Sequence, residues 1–136
     1  MDFQKIDTLV YELHDYEGAL VLLGDVQNAK ALLYKAKCFE QLKRRDEACA
    51  TYMQLYELRK DYVDESIFIL ECLCNTLVEF GEFGNARTVA ERRCHLSGAH
   101  YGSDSLEYGE ALLQRGNIQM QQKRVDDWVE KELTPV

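Results

Sequence analysis

The chain has a single proline in 136 residues, Pro135, so helices can run uninterrupted up to that point. Side chains branched at Cβ are sparse, while Leu, Ala, Glu, Gln, Lys and Arg are abundant. That balance favours helix over strand. Long hydrophobic runs are missing as well. The longest, near Gly18–Gly24, is far too short to cross a bilayer, so membrane insertion is not expected. No basic segment leads into an apolar one at the start of the chain, and no secretory signal is expected. Cysteine has no pattern: the five residues are an odd number without framework spacing, which points to a reducing compartment. A cytoplasmic or nuclear location follows as an expectation. Positive charge is in deficit, with Lys and Arg at 16 against 24 Asp and Glu and a net charge of −8. That argues against a nucleic-acid partner.

What is present is a globular composition, 46% hydrophobic, arranged with helical periodicity. Asp2–Leu13 places Phe3, Ile6, Leu9, Val10 and Leu13 on one face. After a turn at His14-Asp15-Tyr16, Glu17–Leu23 is a short apolar helix that Gly24 and Asp25 stop. Asn28 caps Ala29–Leu42, whose apolar face is Leu32, Leu33, Ala36, Phe39 and Leu42. Lys43-Arg44-Arg45 turns the chain, and Asp46 caps Glu47–Arg59, which buries Ala48, Tyr52, Leu55 and Tyr56. Asp64 opens a helix carrying Ile67, Leu70, Leu73, Cys74, Leu77 and Val78, closed by Gly81-Glu82-Phe83-Gly84-Asn85. Ala86–Leu96 returns with Ala86, Val89, Ala90 and Cys94. A His100–Ser105 loop ends in a capping box, Asp104 with Glu107. Leu106–Gln121 uses Leu106, Leu112, Leu113, Ile118 and Met120, and a turn at Gln122-Lys123-Arg124 leads to Val125–Leu133.

The expectation is thus all-α: about eight helices in antiparallel pairs at approximately 2–24, 29–60, 64–97 and 104–133, within a single domain over 1–136. Each pair is too small to bury its own apolar face, so neighbours stack into an α-solenoid. Irregular loop lengths keep a closed helical bundle as the rival architecture.

Gly116-Asn117-Ile118-Gln119-Met120-Gln121-Gln122-Lys123-Arg124-Val125-Asp126-Asp127 resembles the end of the first helix, the turn and the start of the second helix in a tetratricopeptide repeat. Ala36…Phe39…Lys43-Arg44-Arg45-Asp46-Glu47-Ala48…Tyr52 resembles the same motif, as do Cys74…Leu77…Gly81-Glu82-Phe83…Ala86…Ala90 and Asp15-Tyr16-Glu17-Gly18-Ala19. The small-residue slots fall at Ala19, Ala48, Ala86 and, departing from the pattern, Trp128, which a terminal helix accommodates as a cap. The repeat has a period of about 34 residues; the steps here are 29, 38 and 42 residues. The resemblance implies a protein-interaction module. A narrower resemblance covers Leu73–Leu113. Phe80-Gly81-Glu82-Phe83, Glu91-Arg92-Arg93 and His100-Tyr101-Gly102-Ser103-Asp104-Ser105-Leu106-Glu107-Tyr108-Gly109-Glu110-Ala111-Leu112 resemble the C-terminal helical region of SET/MYND-type protein methyltransferases. It implies only the non-catalytic end of such an enzyme, since no SET-type cofactor motif or zinc-binding cysteine array is present.

No residue pattern demands catalysis. Cys72 and Cys74 form a lone C-x-C, and Cys38, Cys49 and Cys94 fall on separate helices. His14, His95 and His100 do not flank them at finger spacing. No nearby base marks a nucleophilic thiol, and the Gly-rich turns lack the Lys-Ser/Thr ending of a phosphate loop. No enzyme activity, metal or cofactor is expected.

The binding surface is expected on the first helix of each pair, which lines the concave side of such stacks. It comprises Lys30, Tyr34, Lys37 and Gln41, then Glu71, Asn75 and Glu79, then Gln114, Asn117 and Gln121. Asn and Gln can hold a peptide backbone through both donor and acceptor. Some tetratricopeptide proteins clamp a chaperone's C-terminal carboxylate with basic residues. Glu71 stands where such a residue is wanted, so that ligand is disfavoured. The expected function is a non-enzymatic adaptor for a partner peptide or helix, with a methyltransferase-like fragment as the alternative. Self-association through Trp128 and Leu133 on the C-terminal helix, and capture of the Thr134-Pro135-Val136 ending by a strand-adding domain, complete the expected contacts.

Overall fold

A computed structural model describes residues 1–133. Among them are seven α-helices and one π-helical turn: α1 Phe3–Asp7, the π turn Thr8–Glu12, α2 Tyr16–Leu23, α3 Ala29–Gln41, α4 Arg45–Arg59, α5 Val63–Glu79, α6 Phe83–Tyr101 and α7 Leu106–Leu133. No strand occurs among the described residues. Helices pack on their sequence neighbours: α2 on α3, α3 on α4, and α6 on α7. Residues group into two compact units, Met1–Ile69 and a second that begins at Leu70, so the division falls inside α5.

The first unit closes around Ile6, Val10, Ala19, Leu23, Ala31 and Cys38, with Phe3, Leu9, Tyr16, Leu20, Val26 and Tyr34 packed beside them. The π turn explains a departure from the expected single helix 2–13. Its hydrogen bond from Leu13 N to the Thr8 carbonyl (3.0 Å) spans five residues, which shifts the phase of everything after it. Leu13 is thereby carried off the apolar face and is exposed. Asn28 caps α3 as expected, its Oδ1 accepting from Ala31 N at 2.9 Å. Asp46 does not cap α4, which starts at Arg45, two residues earlier than expected; Arg44 holds the N-cap position. Ala36 and Ala48 are fully buried, letting α3 and α4 approach closely. Buried Lys35 donates Nζ to the Val26 carbonyl at 2.7 Å, tying the α2–α3 connection down.

The second unit buries Leu70, Leu73, Cys74, Leu77, Ala86, Ala90, Cys94, Ala111 and Ile118. Cys74 Sγ donates to the Ala86 carbonyl at 3.3 Å across the α5–α6 approach. Gly98 on α6 meets the ring of Tyr108 on α7; a Cβ there would lie 3.0 Å from Tyr108 Cε1. α7 is capped by Ser105, whose Oγ accepts from Tyr108 N at 3.1 Å, and not by Asp104.

Three turns share one backbone form. His14, Lys43 and Gly81 have φ of 52°, 61° and 77°. The residues that follow them, Asp15, Arg44 and Glu82, take φ/ψ of −91°/77°, −93°/79° and −88°/62°. Lys43 N bonds the Glu40 carbonyl (3.1 Å) and Arg44 N the Phe39 carbonyl (2.9 Å); Gly81 N bonds Val78 (3.0 Å) and Glu82 N bonds Leu77 (2.8 Å). Both pairs are Schellman endings, with the left-handed residue just past the helix. Five residues after each left-handed position stands Ala19, Ala48 or Ala86, all fully buried. The backbone therefore repeats at the 29- and 38-residue steps of the sequence.

The third step fails. α7 runs 28 residues without a break, because Gln122-Lys123-Arg124 contains no helix breaker. The expected turn there and the separate eighth helix do not exist, and Trp128 occupies no small-residue slot: it is 63% exposed. Leu106, Leu113 and Met120 are also exposed, whereas Ile118 is buried as expected, together with Ala111. α6 in turn begins at Phe83 and runs to Tyr101, so the connections on either side of it are shorter than expected.

Candidate functional site

Glu71 and Asn75 sit one turn apart on α5. Gln114, Asn117 and Gln121 follow at helical spacing along α7. These five, with Val78, Arg93, Glu110, Leu113 and Ile118, line a cleft of about 360 Å³ in the second unit. Its floor is a polar network. Arg93, only 5% exposed, reaches from α6 and donates Nη1 to Gln114 Oε1 at 2.8 Å. Its Nη2 lies 3.7 Å from Glu71 Oε2, an ion-pair distance beyond hydrogen bonding. Gln114 Nε2 donates to Asn75 Oδ1 at 2.9 Å and to the Glu71 carbonyl at 3.4 Å.

These bonds fix what the cleft offers. Gln114 is spent on its neighbours. With its Oδ1 accepting from Gln114, Asn75 presents its amide donors. Asn117, Gln121 and Glu110 are exposed. Arg93 Nε is buried without an acceptor among the described residues, an arrangement that costs free energy unless a partner supplies one.

The remaining expected residues fall elsewhere. Glu79 is exposed and does not line the cleft. In the first unit Lys30 borders a hollow of about 280 Å³ walled by Ala29, Leu33, Leu55, Arg59, Glu65, Phe68 and Ile69. Its Nζ also lies 4.6 Å over the Phe3 ring. Tyr34 is engaged in packing. Its ring stacks on Phe3 with centroids 5.7 Å apart, and its hydroxyl donates to the Asp7 carboxylate. Burial, then the Asp7 contact, pushes its pKa up to about 12. Lys37 is half-buried, Gln41 is exposed, and neither lines these two hollows.

Sequence reasoning missed Arg93 as a site residue, since Glu91-Arg92-Arg93 enters only through the SET/MYND resemblance. The 38-residue step carries the missing signal. It aligns Leu33 with Glu71 and Leu55 with Arg93, so a pair of apolar wall residues in the first hollow becomes an ion pair in the second.

Three of the five thiols are weak nucleophiles. Burial pushes Cys38 and Cys74 up to about 11 and raises Cys94, so these side chains stay protonated and weakly nucleophilic near neutrality. Among the described residues no three His, Cys, Asp or Glu side chains converge as metal ligands. No helix there is long and apolar enough to cross a membrane. Trp128 and Leu133, expected as a self-association surface, are exposed; Thr134, Pro135 and Val136 lie outside the described residues. No protein-family model matches the chain, and neither a curated protein nor a solved structure does.

Proposed function

We propose that the chain is a non-enzymatic interaction adaptor of tetratricopeptide-like build, and that the cleft between α5, α6 and α7 holds an extended segment of a partner protein. The observation that carries this reading is the Arg93–Gln114–Asn75 network. It holds Gln114 and Asn75 in place and leaves the Asn75 amide donors available, with Asn117 and Gln121 exposed beside them. A preorganised row of amides suits a peptide backbone, because less side-chain freedom is lost on binding. Glu71 disfavours a terminal carboxylate as ligand, and Arg93, the cation beside it, is already committed to Gln114 and Glu71.

Selection from a random linear-peptide library against the full chain tests the reading, followed by calorimetry on the intact chain and an Asn117→Ala/Gln121→Ala variant. The expected outcome is a peptide whose affinity falls about tenfold in the variant, the equivalent of one good hydrogen bond. Equal affinity for both would remove the cleft as the site.

A second reading, the non-catalytic end of a SET/MYND-like methyltransferase, draws on one observation. The Tyr101-Gly102 loop, with Gly102 at φ 96°, leads into a serine cap at Ser105, the order that family resemblance implies. Detection of a longer endogenous polypeptide containing this sequence would favour it; finding the 136-residue product alone would count against it.

A further inference from the structure

We infer that the segment held in the second unit's cleft is basic, with a lysine or arginine side chain seated between Glu71 and Glu110 while its backbone lies along Asn75, Asn117 and Gln121. This rests on the peptide-binding reading above and adds the chemistry of the ligand.

The first argument is charge. Two carboxylates and one guanidinium line the cleft, leaving one negative charge in excess. The guanidinium sits on the floor, 95% withdrawn from solvent, whereas Glu110 is exposed and Glu71 remains 43% exposed. What an incoming ligand meets first is therefore carboxylate. Glu71 Oε2 lies 3.7 Å from Arg93 Nη2, too far for a hydrogen bond, so the carboxylate keeps acceptor capacity for a ligand. A cationic side chain gains charge-assisted hydrogen bonds from both acids. An acidic one meets repulsion from both, which is the stronger basis for discrimination.

Arg93 Nε is a buried donor with no acceptor among the described residues, on a side chain that lines the cleft. Nε is closed to solvent as it stands, so a carbonyl from a bound chain reaches it once the floor side chain shifts on binding; a carbonyl suits it because it is uncharged and does not compete with Glu71 for the guanidinium. A free amine or a metal cation supplies no such acceptor. A ligand that combines carbonyls with a positive charge, as a basic peptide does, answers both features of the cleft.

The same library selection on the full chain tests this, with Glu110→Gln and Glu110→Lys added as arms. Glu110 is exposed, so neither change threatens folding. The inference expects peptides enriched in Lys or Arg, binding that weakens with salt, about a tenfold loss in Glu110→Gln, and selection of acidic or neutral peptides by Glu110→Lys. Peptides that depend on Asn117 and Gln121 but carry no basic residue, or that ignore Glu110→Gln, would overturn the basic-ligand inference and leave peptide binding standing. Absence of any peptide dependent on the cleft would overturn both.

Discussion

The α3–α4 and α5–α6 hairpins answer the same backbone with different chemistry. Both end their first helix in a Schellman turn and both start the second with a buried alanine five residues after the left-handed position. Yet Leu33 and Leu55 wall a largely apolar hollow in one unit, while Glu71 and Arg93, at the equivalent positions, line a polar cleft in the other. The leucines show that the slot is filled well without charge. An ion pair with one partner 43% exposed adds little stability over apolar residues of similar size, which fits the proposed binding role of the cleft.

The shared part of the comparison breaks most sharply at the alanines. Ala48→Leu and Ala86→Leu should each overpack a helix approach and cost about 1–3 kcal/mol, seen as a fall in the urea midpoint. If only one does, the hairpins are not equivalent. The divergent part comes next. Glu71→Leu strips Arg93 of its counter-charge and should cost about 1–2 kcal/mol, at the lower end because Glu71 is 43% exposed. Adding Arg93→Leu, which recreates the Leu33/Leu55 pair, should restore wild-type stability or exceed it. A double variant as weak as Glu71→Leu would contradict the alignment of the two hollows.

The turns give a smaller effect of opposite sign. Lys43 holds a φ of 61° with a side chain, Gly81 a φ of 77° without one. Gly81→Lys should cost about 1 kcal/mol, whereas Lys43→Gly should be neutral or gain roughly 0.5 kcal/mol, left-handed strain being relieved at the expense of unfolded-state entropy. Equal losses in both would mean that the lysine side chain holds its turn by contacts.

A further effect depends on pH. Cys38 and Cys74 occur one in each unit, and both are raised by burial from 9.0 to about 11. A raised folded-state pKa gives stability that is complete below pH 9 and lost as pH climbs through 11, since the unfolded chain releases the proton first. The urea midpoint should decline over that window, and less so in Cys38→Ala/Cys74→Ala when each protein is compared with its own midpoint at pH 8.

The features legible from sequence were those set locally. Asn28 announces its cap by type and position, and Ala19, Ala48 and Ala86 by recurrence beside turn residues. α7 misled because three polar residues, Gln122, Lys123 and Arg124, were given the weight of a turn although each is a sound helix former. A long exposed helix and a helix–turn–helix share that local composition; only packing separates them. Arg93 was invisible for a related reason. A buried arginine reads as a surface one until Glu71 and Gln114, 22 and 21 residues away in sequence, are brought beside it. Tyr34 differs in the other direction: an aromatic with a hydroxyl suits a binding surface, and here its ring stacks on Phe3 while its hydroxyl donates to Asp7.

The most direct measurement is an NMR titration of the 15N-labelled full chain with a library-selected basic peptide. The account predicts that the side-chain amide signals of Asn75, Gln114, Asn117 and Gln121 and the Arg93 Nε–H signal shift together and saturably. Shifts confined to the first unit or to Trp128, with those five unmoved, would contradict it.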